Sequence, residues 1–60
     1  MSNSYEMKKA EALATHAAAY RIQAEAAALC GSQDMVQHYL QLAIEYDALA
    51  SSYRSMAAKA

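Results

Sequence analysis

The chain has 60 residues, with no proline, phenylalanine or tryptophan and a single glycine. Proline and glycine are the residues that divide a chain into short strands and turns, so their near absence excludes a β-rich or loop-rich fold. One cysteine, Cys30, excludes an intramolecular disulfide. The N-terminus shows neither the basic nor the apolar block of a secretory signal, so a reducing, cytoplasmic setting is expected. Charge of one sign is lacking too. Five Lys and Arg stand against six Asp and Glu, a formal charge of -1, and no basic run exists to follow a phosphate backbone, which argues against nucleic acid as a partner. Polar residues interrupt every apolar stretch well before the span of about 20 that crosses a bilayer, so no membrane partner is expected.

Alanine is abundant instead, and with long uninterrupted helical periodicity it points to an all-α fold of closely packed helices. Asn3 is placed to cap a first helix, with Glu6 three residues later in capping-box position. The helix is expected over about residues 4–30. Gly31 is the one residue able to take a left-handed helix-ending conformation without strain, and Ser32 beside it suits the cap of a second helix over about 33–58. Asp34 in the first turn of that helix and Arg54 and Lys59 near its end match the helix dipole. A turn of only residues 31–32 predicts that the two helices, each about 39 Å long, fold back as an antiparallel hairpin.

The second helix shows a heptad pattern: Met35, Tyr39, Leu42, Tyr46, Leu49, Tyr53 and Met56 alternate four and three apart. In the first helix the same spacing selects Ala10, Leu13, Ala17, Tyr20, Ala24 and Ala27. Laid antiparallel, residues whose numbers sum to about 63 face each other. Ala10 then meets Tyr53, Ala17 meets Tyr46 and Ala24 meets Tyr39. The layers between pair Leu13 with Leu49, Tyr20 with Leu42 and Ala27 with Met35.

A second apolar set lies off this seam: Met7, Ala14, Ala18, Ile22 and Leu29 in the first helix, and Val36, Leu40, Ala43, Ile44 and Ala50 in the second. At about 100° per residue both sets turn toward one side of the hairpin. The other side carries Lys9, His16, Gln23, Gln41, Glu45 and Ser52. The first side is expected to bind a partner, with Ile22, Leu29, Val36, Leu40 and Ile44 as anchors near the turn and Arg21, Glu25 and Asp47 setting orientation at the rim. Such a small chain with an uncovered aliphatic side gains from association, so a homodimeric four-helix bundle, a larger protein partner, or both are expected.

Residues for chemistry are few. His16 and His38 have no second ligand at metal-motif spacing, and the antiparallel register separates them by about 13 Å. Cys30 at the end of a helix meets the dipole end that raises a thiol pKa, and reads as a small half-buried turn residue rather than a nucleophile. Ser51, Ser52, Glu45 and Asp47 form no nucleophile and base arrangement. No enzymatic activity, metal or cofactor is expected.

Ala19-Tyr20-Arg21 and the run Leu42-Ala43-Ile44-Glu45-Tyr46-Asp47-Ala48-Leu49-Ala50 resemble short alphaproteobacterial proteins. These join a Tyr-Arg helix to a Leu-Ala-x-Glu-Tyr-x-x-Leu-Ala helix. The likeness implies a helical hairpin and no particular activity. Residues 33–50 are also similar to the second helix of a tetratricopeptide repeat, from which the chain departs in having one unit and no terminal proline. The function expected is a small interaction module: an adaptor, inhibitor or cochaperone. The alternative is an RNA-binding hairpin dimer of the Rop kind, which calls for a basic stripe that Lys8, Lys9, Arg21, Arg54 and Lys59 do not make.

Overall fold

The computed structural model describes residues 2–59, with side chains from residue 4 onward. It is an antiparallel hairpin of two helices, α1 (Ser2–Leu29) and α2 (Gln33–Lys59), drawn out to 46 × 12 × 9 Å.

The reversal is built on backbone hydrogen bonds around one glycine. Gly31 adopts φ 78°. Its N–H donates to the Ala28 carbonyl at 3.0 Å, and the Ser32 N–H reaches back to the Ala27 carbonyl, also at 3.0 Å. This is the Schellman arrangement, which satisfies the last carbonyls of α1. Ser32 then accepts the first α2 bond, from the Val36 N–H, on its own carbonyl at 3.0 Å. One residue therefore closes the first helix and opens the second. Asp34 lies in the first turn of α2 and Lys59 in its last, each favourable with the helix dipole.

Two local expectations change. The first helix begins at Ser2, so Asn3 lies inside it and is not its cap; the Asn3 side chain lies outside the described residues. Cys30 is exposed, not half-buried, because at the turn no third element covers it.

The α1 seam is as expected, with Ala10, Leu13, Ala17, Ala24 and Ala27 buried and Tyr20 half-buried between them. In α2 the seam is rotated relative to the sequence reading. Ala43, Ala50 and Ala57 are buried, with Tyr39, Tyr46 and Tyr53 half-buried beside them. Leu49, Met35 and Met56 remain 46–47 % exposed. The tyrosines stay in the seam, but their companions are the alanines on one flank and not the Leu and Met residues on the other.

The register survives this rotation. The Tyr20 ring lies 5.3 Å from that of Tyr46 and 6.1 Å from that of Tyr39, which sets it level with Ala43. Numbers summing to 63 now pair Ala10 with Tyr53, Leu13 with Ala50, Ala17 with Tyr46, Tyr20 with Ala43, Ala24 with Tyr39 and Ala27 with Val36. Every layer sets one larger residue against one alanine. Two Cα cylinders of radius about 2.3 Å fitted into the 12 Å width leave their axes about 7–8 Å apart, at or below the usual 8–10 Å. Alanine in every layer permits that approach, and a leucine in its place would forbid it.

Candidate interaction surfaces

The close seam has a cost in burial. Of the buried residues only Leu13 is larger than alanine, and no large side chain is fully buried among the described residues. The large apolar residues stand outside: Ile22, Leu29, Met35, Leu40, Ile44, Leu49 and Met56 are each between 43 and 90 % exposed. A packed domain places its large apolar residues the other way round.

Exposed residues fall on two broad faces of the hairpin. On the first, Arg21 Nη1 donates to Asp47 Oδ2 at 2.7 Å, joining the helices across the flank of the alanine row. Toward the turn the same flank opens into a shallow depression of about 290 Å3 lined by Arg21, Ala24, Glu25, Ala28, Val36 and Leu40. The structure thus brings Arg21, Glu25, Val36 and Leu40 together in one concavity. Asp47 borders it through the ion pair, and Ile44 follows Leu40 one turn along α2. Ile22 and Leu29 are exposed but lie elsewhere: their positions fall on the outer back of α1, opposite the seam. Ala43 and Ala50, expected on this side, belong to the seam.

The opposite face corrects the expectation of a wet side. It holds His16, Gln23 and Glu45, but also the row Met35, Leu42, Leu49 and Met56, which recurs every seven residues beside the tyrosines. The His16 ring meets Tyr46 edge to face at 5.8 Å. A second depression, of about 200 Å3, is lined here by Gln23, Ala26, Ala27, Cys30, Ser32, Met35 and Tyr39. Among the described residues Tyr20 is the group with a perturbed acidity. Its phenol pKa is raised from 10.0, first by the charge of a neighbouring Tyr46 phenolate and then by loss of water around it. Sequence reading missed this face because it assigned Leu and Met to the interior. The signal that finds it is size: a seam whose α1 half is mostly alanine packs closest against alanine on α2.

Chemistry-bearing groups do not converge. Among the described residues no cluster of three His, Cys, Asp or Glu side chains is placed to hold a metal ion. Both depressions are shallow and open, without the enclosure that excludes water from a reaction. No helix of the described residues is long and apolar enough to cross a membrane. The chain matches no protein-family model, no curated protein and no solved structure.

Proposed function

We propose that this chain is a non-catalytic protein–protein interaction module, an adaptor, inhibitor or cochaperone, that binds through exposed aliphatic residues of its helices. The observation that carries this reading is the inversion of size between interior and surface: alanine fills the seam while Ile, Leu and Met face outward. Exposed apolar surface of this extent on a small chain marks a binding surface. For a protein partner the depression near the turn is the docking point, with Val36 and Leu40 as apolar floor and Arg21, Glu25 and Asp47 as a charged rim that fixes orientation.

The test is capture from an extract of the native cell with the tagged chain. Leu40→Asp is expected to abolish capture of a protein partner, because a charge forced into a packed apolar contact costs several kcal/mol, or orders of magnitude in affinity. Ser55→Asp, on the outer edge of α2, is expected to leave capture intact. Circular dichroism must show both variants as helical as the parent. Retention of the partner by Leu40→Asp, or recovery of RNA in place of protein, overturns this reading.

A further inference from the structure

We infer that the face bearing Met35, Leu42, Leu49 and Met56 is covered by a second copy of this chain, its α2 antiparallel to the first about a two-fold axis near Tyr46. This rests on the interaction reading above and adds to it a named occupant and geometry.

The surface balance asks for such an occupant. At 6.5 kDa the unfolded chain exposes about 9,400 Å2 and the hairpin 4293 Å2, so folding hides about 54 %, against about 60 % for a self-sufficient domain of this length. A standard interface hides about 800 Å2 per partner, which raises the fraction to about 63 %. One partner of ordinary size closes the deficit.

The pattern along α2 says which partner. At 100° per residue the tyrosine row lies between two others, the alanine row about 40–60° to one side and the Met and Leu row about 40–60° to the other. The alanine side is filled by α1. On the other side Tyr39, Tyr46 and Tyr53 remain half-buried and form, with Met35, Leu42, Leu49 and Met56, a second complete heptad seam. Its order is Met, Tyr, Leu, Tyr, Leu, Tyr, Met, the same from either end, and its centre is the middle of α2 (Gln33–Lys59). An isologous interface must present one surface to itself. Pairing α2 with itself antiparallel engages the helix along nearly its full length. In that register residues whose numbers sum to about 91–92 meet across the axis, so Met35 lies beside Met56, Leu42 beside Leu49 and Tyr39 beside Tyr53 of the second copy, with Tyr46 beside its own equivalent. Antiparallel pairing also sets the two α2 dipoles head to tail, whereas parallel pairing would align them. On the α1 side of this face Ala12, Ala19 and Ala26 are exposed and small, while Lys9, His16 and Gln23 lie nearer the seam and would form a polar rim to the second copy.

The test uses the full chain in a Cys30→Ser background. Sedimentation equilibrium is expected to give twice the 6.5 kDa chain mass, and Leu49→Asp is expected to lose that species. A short bismaleimide is expected to join Met35→Cys to Met56→Cys in a mixture of the two variants, and neither to itself, because antiparallel pairing separates like positions by about 30 Å at 1.5 Å per residue. Self-linking of either single variant means parallel pairing and overturns the inference. A 6.5 kDa species at tens of micromolar with full helicity also overturns it. If that monomer still captures a partner through Leu40, the interaction reading stands and only the second copy is refuted. If it captures nothing, both fall.

Discussion

Leucine at position 43 puts the rotated seam to a quantitative test. Ala43 is 3 % exposed and level with Tyr20, whose ring packs against those of Tyr39 and Tyr46 at 6.1 and 5.3 Å. Leucine adds three carbons there. Placed in open apolar space they would contribute about 0.8 kcal/mol each. Ala43 lines neither depression, so the added volume must instead spread helices whose axes are held close by alanine in the adjoining layers. Overpacking of this kind costs about 1–3 kcal/mol. For a chain of this size each kcal/mol lowers the melting temperature by about 4–8 °C, so Ala43→Leu is expected to melt at least several degrees below the parent. Ala48→Leu is the control. It lies on the exposed outer side of α2, leucine and alanine have similar helix propensity, and a surface change of this type stays within about 0.5 kcal/mol. Thermal melts followed by circular dichroism at one protein concentration compare the two. Equal melting temperatures, or a more stable Ala43→Leu, would mean that α2 faces α1 with Leu42 and Leu49 and would refute the alanine seam.

Gly31 has φ 78° and open space where a Cβ would sit, so Gly31→Ala is expected to cost about 1–2 kcal/mol from backbone conformation alone. Replacement of Gly31 by D-alanine in a synthetic chain is expected to raise the melting temperature, since that residue favours positive φ, and a drop would show a steric cause. A double-mutant cycle on Arg21→Ala and Asp47→Ala is expected to give a coupling of about 0–1 kcal/mol that fades in high salt, because both side chains are about half exposed. The phenol of Tyr20 ionises above 10.0 when folded, so its contribution is present below that pH and is lost as pH rises through the raised value. Melting temperature is therefore expected to fall as pH rises past the ordinary tyrosine pKa of about 10, and to fall less steeply in Tyr20→Phe. Parallel curves for the two proteins would remove Tyr20 from the account.

The turn and the α1 seam were legible because each rests on local chemistry. Gly31 alone satisfies a positive φ, and the α1 row is the one in that helix that alternates three and four apart and carries Leu13 and Tyr20 among its alanines. On α2 two rows compete for the place beside the tyrosines. Ranking by hydrophobicity selects Leu42, Leu49, Met35 and Met56, whereas packing selects Ala43, Ala50 and Ala57, because approach distance favours the smaller set. The same misassignment hid the Met and Leu face. Of the expected anchors, Val36 and Leu40 come together because both lie near the turn on the flank beside Arg21. Ile22 and Leu29 do not, since their spacing carries them behind α1.

The three-residue reversal at Cys30, Gly31 and Ser32 also sets the order in which the hairpin assembles. Inter-helix layers lie at steadily growing chain separation, from Ala27 and Val36 beside the turn to Glu6 and Ala57 at the open end. Each layer formed brings the next within reach, so the entropy of loop closure is met in small successive steps. Contacts of this local kind give fast, zipper-like folding from the turn outward. Unfolding runs in the reverse direction, and amide hydrogens near Ala24 and Tyr39 are expected to exchange more slowly than those near Ala10 and Tyr53.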